Sequence, residues 1–323
     1  MITPCLKIIY MGSSSFAVPA LDALNRAGHH IIFVVTQPDR VRGRGGRVLP
    51  TPVGLYAEEN GLSLLKPESL KGDEAFKNAL AEAALDLIVV AAYGKILPNS
   101  LLELPGLGCI NIHASLLPEY RGAAPVQRAI LDGKRETGVT LMYMSEELDS
   151  GDMIASAKVD VSGKNAGELT EELAHIGARL LVDALPAITN KTAQRIPQDG
   201  AKATYAEKIG KADSRICLKG TADEAVLRVL AMTPDPGAWL MQGDRRIVVT
   251  AARAFGPAEE EIPAGVYEAA APGDVLSVSQ KGISVRAGEG VFLIEELKLP
   301  GKRAMPVREY LKGNIFDTGL SLE

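Results

Sequence analysis

Asn111 and His113 stand two residues apart in the run Gly108-Cys109-Ile110-Asn111-Ile112-His113, which reads as a short buried strand. Ile110 and Ile112 take one face, so alternation puts the asparagine and the histidine together on the other. The asparagine offers an amide donor and acceptor, and the imidazole can carry or hand over a proton near neutral pH. Pro118 forbids further ladder pairing, and Arg121-Gly122 turns the chain toward a helix over residues 123–131. Open α/β sheets place their ligands at the carboxyl ends of such strands. A third polar group follows a second strand over residues 137–144, in the turn Glu147-Leu148-Asp149-Ser150-Gly151-Asp152. A carboxylate there could fix the tautomer of His113 and stabilise its charged form. By spacing, Asp149 and Asp152 are nearly equal candidates, with Gly151 available for a tight bend beside Asp149.

These segments carry a resemblance. Asn111-Ile-His113, Ser115-Leu-Leu-Pro118, Arg121-Gly-Ala-Ala-Pro125 and Leu148-Asp149-Ser-Gly-Asp152 resemble the signature of the folate-dependent formyltransferases. Within that superfamily the chain is most similar to the members acting on methionyl-tRNA. The similarity spans about residues 6–313, with the specific motifs in the first 200 or so. It implies that Asn111, His113 and Asp149 are the catalytic set, which breaks the tie with Asp152. It implies 10-formyltetrahydrofolate as co-substrate, held by Ser115, Leu116, Leu117 and Pro118. A further share of that pocket falls on Tyr93, Gly94, Ile96 and Leu97, where the family uses backbone atoms against the pterin ring. The implied acceptor is the α-amine of methionyl-initiator-tRNA, with no metal, nicotinamide or obligate protein partner.

The elements that must position these residues follow in chain order. Residues 6–11 form a first apolar strand, then a Gly-Ser turn and a helix opened by Pro19. Gly-x-Gly-x-x-Gly is absent, as is the lysine of a phosphate loop, so β–α chain reversal outranks a dinucleotide site. Residues 31–36, 62–65, 87–91 and 154–159 supply further strands. Thr51-Pro52 caps a helix ending near Gly61, and residues 73–84 and 165–185 read as helices. Strands alternating with helices predict a doubly wound, mostly parallel, Rossmann-like α/β sheet.

Between the second strand and Thr51 lies Asp39-Arg40-Val41-Arg42-Gly43-Arg44-Gly45-Gly46-Arg47. So many glycines, with so little to pack, predict a solvated loop with neither helix nor strand. Guanidinium groups pair with phosphate and stack on unpaired bases, so this loop is also a candidate RNA arm. The resemblance favours that use and makes Arg40, Arg42, Arg44 and Arg47 the implied tRNA contacts, Arg44 foremost.

Residues 189–210 are polar and aperiodic and read as a linker between a catalytic domain (1–188) and a C-terminal domain (211–323). The latter shows one helix and five short strands, and the resemblance implies an OB-like β-barrel. Trp239 reads as core. This region departs from the family, whose acidic-tryptophan stretch after the linker is replaced by Asp213-Ser-Arg-Ile-Cys217.

With 323 residues, 46% hydrophobic and 23% charged, the composition is that of a two-domain globular protein. A net charge near −5 gives no global pull toward nucleic acid or anionic membrane, so any such contact must be local. Cys5, Cys109 and Cys217 are far apart, which argues against a zinc site or disulfide framework and for a cytoplasmic location. No apolar stretch is long enough to span a bilayer. Two rivals remain: another folate formyltransferase, acting on an amino-sugar nucleotide or purine precursor, and a non-catalytic or nicotinamide-dependent α/β binding protein.

Overall fold

The computed structural model describes residues 4–42, 46–70, 80, 85–260, 262–319 and 321–323. The chain divides into two compact units. The first comprises Met1–Pro125, Glu136–Asp160 and Thr170–Glu207, and the second Val126–Arg135, Val161–Leu169 and Lys208–Glu323.

The first unit carries strands β1 (Lys7–Gly12), β2 (His30–Val35), β3 (Arg40–Arg42), β4 (Arg47–Leu49), β5 (Leu64–Leu65), β6 (Leu87–Ala91), β7 (Cys109–His113), β8 (Arg121–Gly122), β9 (Glu136–Tyr143), β10 (Met153–Asp160) and β11 (Tyr205–Ala206). Seven of them make one sheet in the order β10-β9-β7-β6-β1-β2-β5. From β5 to β7 every pair is parallel, whereas β9 and β10 join antiparallel at one edge. The doubly wound, mostly parallel expectation is met. β6 is buried along its whole length and β1 everywhere but Lys7, as strands covered on both faces must be. Each buried Leu, Ile or Val there contributes about 1.5–3 kcal/mol through lost apolar exposure.

Helices α1 (Val18–Arg26) and α2 (Pro52–Glu59) form where expected, and the Thr51 hydroxyl accepts the Gly54 N–H at 2.9 Å as the cap of α2. The helix expected over 73–84 falls, except for Leu80, outside the described residues.

One expectation is corrected here. The arginine loop is not free of strand: β3 and β4 pair antiparallel with Arg40 opposite Leu49, Val41 opposite Val48 and Arg42 opposite Arg47. Alternating arginine and β-branched valine suits a hairpin whose pairing is local and needs no core. The stretch 189–210, read as a linker, carries regular structure of its own. It forms a 3₁₀ turn (Gly200–Lys202), and β11 runs parallel to β8, pairing Tyr205 with Arg121 and Ala206 with Gly122.

The second unit carries β12 (Ala238–Gln242), β13 (Arg245–Phe255), β14 (Val275–Ser279), β15 (Gly282–Arg286), β16 (Val291–Lys298) and β17 (Met305–Pro306). They form an antiparallel sheet in the order β12-β13-β16-β15-β14, with β17 on β16. The helix Ala222–Met232 begins with a capping box between Thr221 and Glu224. Trp239 is not core. Ala238, Leu240 and Gln242 face inward, so alternation turns Trp239 outward, where Arg246 and Arg215 lie over its ring at 4.6 and 5.8 Å.

Candidate active site

The carboxyl ends of β6 and β7 lie side by side, Ala91 opposite Ile112, and β9 flanks β7 with Thr140 opposite His113. Asn111 and His113 are buried on the face their alternation requires, 8% and 6% exposed. His113 Nε2 lies 2.8 Å from the Tyr120 carbonyl oxygen. A carbonyl only accepts, so Nε2 carries the proton and the neutral ring presents a bare Nδ1. That Nδ1 faces Asp149 Oδ2 at 3.7 Å. The same oxygen accepts the Gly122 N–H at 2.9 Å, and Asp149 Oδ1 lies 3.4 Å from Asn111 Nδ2. Asn111, His113 and Asp149 therefore converge, with both imidazole nitrogens facing an acceptor when the ring is charged.

The backbone around them is unusual. Tyr120 and Asp149 have φ of +58° and +49°, in the left-handed region that side chains avoid. Gly122 has φ of +113°, and a Cβ there would meet the Ala206 carbonyl oxygen at 2.9 Å, so only glycine lets β11 approach. Asp152 does not join the cluster. Its half-exposed side chain lies 3.6 Å from Arg195 Nη1, at a cavity of about 440 Å³ that none of the three converging residues lines.

The other expected residues divide by what their side chains do. Ser115 is fully buried and donates its hydroxyl to the Glu119 carbonyl at 2.6 Å, closing the loop rather than offering the hydroxyl to a ligand. The Thr140 hydroxyl accepts the Leu117 N–H at 3.1 Å and donates to the Ser115 carbonyl at 2.7 Å. It fixes the 115–118 loop against β9, with Leu117 buried and Leu116 and Pro118 partly so. Thr140→Val keeps the shape but leaves two buried polar groups unpaired. It is expected to destabilise the protein by about 2–4 kcal/mol, measured by denaturant unfolding.

After β6, Tyr93 and Leu97 are buried in the core and Ile96 is 80% exposed. The Tyr93 carbonyl accepts from Gln37 Nε2 at 2.7 Å, and burial pushes its phenol up to about 12. Gly94 has φ of +80° and lies against the Gln37 amide. Among the arginines, Arg40 is exposed, the backbones of Arg42 and Arg47 pair across the hairpin, and Arg44 lies outside the described residues.

Sequence reasoning missed Tyr120, Gly122 and Thr140 as site-forming groups, and it missed Gln198 and Thr204 altogether. The Thr204 hydroxyl accepts the Tyr120 N–H at 2.8 Å from 84 residues away, a pairing that leaves no local pattern.

Residues 6–185 match the family described as formyl transferase, and residues 208–314 match the formyl transferase C-terminal domain. The methionyl-tRNA formyltransferase of Ruminiclostridium cellulolyticum is 40% identical over 320 residues, covering 98% of this chain and 99% of that one. The enzyme of that name from Halorhodospira halophila is 43% identical over 308 residues, 95% of this chain and 96% of that one. Among solved structures, HypX from Aquifex aeolicus in complex with tetrahydrofolic acid matches with a TM-score of 0.65 at 18% identity, over 97% of this chain and 48% of that one. WlaRD, a sugar 3N-formyl transferase, matches with a TM-score of 0.65 at 17% identity, over 92% of this chain and 99% of that one. The two structural likenesses speak to fold.

Proposed function

The chain belongs to the formyl transferase family, and from that premise we propose that it transfers the formyl group of 10-formyltetrahydrofolate to the α-amine of methionyl-initiator-tRNA. The observation that carries the chemistry is the convergence of Asn111, His113 and Asp149 at the carboxyl end of β7. The acceptor rests on relatives matched along nearly their whole length, through both family domains.

The co-substrate supplies a formyl group already at the oxidation level of the product, so the chain has only to move protons and stabilise charge. With Nε2 committed to Tyr120, the bare Nδ1 of His113 is the nitrogen that accepts a proton from the attacking amine, directly or through water. The imidazolium so formed faces the Asp149 carboxylate, and its proton passes to N10 of tetrahydrofolate as the bond between that nitrogen and the formyl carbon breaks. Asn111 holds an N–H for the negative charge developing on the transferring carbonyl oxygen, a contribution of about 3–4 kcal/mol in comparable sites. His113, once charged, offers a second donor to that oxygen at Nδ1, whose separation from Asp149 Oδ2 is long at 3.7 Å. The backbone of the 92–97 loop and the 115–118 loop are the folate-contacting segments in this reading. The exposed side chain of Ile96 fits it, since a flat heteroaromatic ring can cover apolar surface.

The arginine hairpin is the proposed contact for the tRNA acceptor end. Arg44→Ala is expected to weaken transfer to methionyl-tRNA and leave folate binding unchanged. Replacing Arg40, Arg42, Arg44 and Arg47 together is expected to flatten the slope of log affinity against log salt by up to about three. Kinetics on charged tRNA and titrations at several salt concentrations measure both. An unchanged slope would return the hairpin to a plain connection. We place the reaction in the cytoplasm; no helix among the described residues is long and apolar enough to cross a membrane.

The experiment that tests the acceptor is competition. Charged initiator tRNA should take the formyl group in preference to an amino-sugar nucleotide or a purine precursor. Preference for either small amine would move the chain to another branch of the family.

A further inference from the structure

In the sequence, Gln198 falls between the two matched regions, in the stretch that shows no periodicity. Its carboxamide nevertheless uses every hydrogen-bonding position that an amide has. Nε2 donates to the carbonyls of Asp149 at 2.9 Å and Gly151 at 2.8 Å. Oε1 accepts from Arg121 Nε at 3.0 Å and Arg121 Nη2 at 2.8 Å. Two donors and two lone pairs are all a primary amide possesses. Turned over, the oxygen would face two carbonyls and the NH₂ would face a guanidinium, so one orientation alone is possible.

The groups it clasps belong to two different loops. On one side is the turn that carries Asp149 in its left-handed conformation. On the other is Arg121, a buried cation set between Tyr120 and Gly122. The Tyr120 carbonyl accepts the hydrogen bond from His113 Nε2–H, and the Gly122 N–H donates to Asp149 Oδ2. The partners of the two imidazole nitrogens thus come from separate loops, and Gln198 is a side chain that bridges them. Its own segment is anchored on the Tyr120–Arg121 side as well. The Thr204 hydroxyl and carbonyl accept the N–H groups of Tyr120 and Arg121, each at 2.8 Å.

We propose that Gln198 is a positioning residue for the reaction, setting the distance between the Asp149 carboxylate and His113 Nδ1 without itself touching substrate. The proposal rests on the formyl-transfer reading of the site. Geometry of this kind is steep in rate, since a displacement of about 1 Å can cost 10²-fold.

The test compares Gln198→Ala and Gln198→Glu with the full-length wild type. Gln198→Glu keeps the length and the contact to Arg121 but sets a carboxylate oxygen against the Asp149 and Gly151 carbonyls. Its kcat for formyl transfer is expected to fall about 10²-fold, and that of Gln198→Ala about tenfold, with KM for both substrates within about twofold. The loss in Gln198→Glu should shrink as pH falls, because a protonated carboxyl regains one donor toward those carbonyls. A residue serving only stability would change the melting temperature and the yield of folded protein, but not kcat per folded molecule or its pH profile. A second measurement needs no activity. The ring proton on His113 Nε2 is followed by NMR, assigned through its loss in His113→Ala, and should exchange with water faster in both Gln198 variants. Wild-type kcat and pH profile in a folded Gln198→Glu protein overturn the proposal. If the wild type transfers no formyl group, the functional reading fails, and proton exchange alone decides: unchanged exchange then overturns the role of Gln198.

Discussion

Replacing His113 by alanine is expected to reduce formyl transfer to methionyl-tRNA by about 10²–10⁴-fold, the usual contribution of a positioned acid–base group. The loss should fall on kcat. His113 is buried, with one nitrogen held by Tyr120 and the other turned to Asp149. Its removal leaves the 92–97 and 115–118 loops intact, because the latter is fastened through Thr140 and Ser115 rather than through the ring. Folate titration of the variant should therefore match the wild type within a few-fold. Turnover near the wild-type rate would remove His113 from the reaction.

Asp149→Asn should cost nearly as much, about 10²–10⁴-fold, while the equivalent change at Asp152 should cost little. In the proposed reaction the carboxylate is the charge that supports an imidazolium at Nδ1, and an amide brings none. The amide also has no good orientation. If its oxygen keeps the Gly122 N–H, its NH₂ meets the NH₂ of Asn111, and if it turns over, the Gly122 contact is lost. Asp152 faces Arg195 at the surface and touches none of the three groups. Steady-state kinetics on the two variants decide between the carboxylates. A damaging Asp152→Asn beside a mild Asp149→Asn would reverse the assignment.

The two aspartates also show where sequence reading reaches its limit. Strand β6 was legible to the residue and β7 to within one, Gly108 falling outside it, because a continuous apolar run and a period of two leave few alternatives. Alternation likewise placed Asn111 and His113 on one face. Spacing could not separate Asp149 from Asp152, since the choice depends on a left-handed backbone at Asp149 and on a glycine amide 27 residues away. Nor could it show that residues 196–206 strap the site. Gln198 acts through carbonyls and a guanidinium 47 to 77 positions distant, and such contacts impose no periodicity on the segment that makes them. Ser115 was legible as a site-loop residue, but its hydroxyl turned out to close its own loop. The arginine segment was misread for a different reason. Its glycines suggested disorder, while two valines set opposite one another were enough for a short hairpin.

The most direct test of the whole account is single-turnover transfer of labelled formyl from 10-formyltetrahydrofolate to methionyl-initiator-tRNA, by four proteins: wild type, His113→Ala, Asp149→Asn and the double variant. Groups that act as one unit are not additive in their losses. Label is expected on the methionine α-amine with the wild type, with a large loss in each single variant and a double variant no slower than His113→Ala alone. Absence of label with the wild type, or a double variant whose loss is the product of the two single losses, would contradict it.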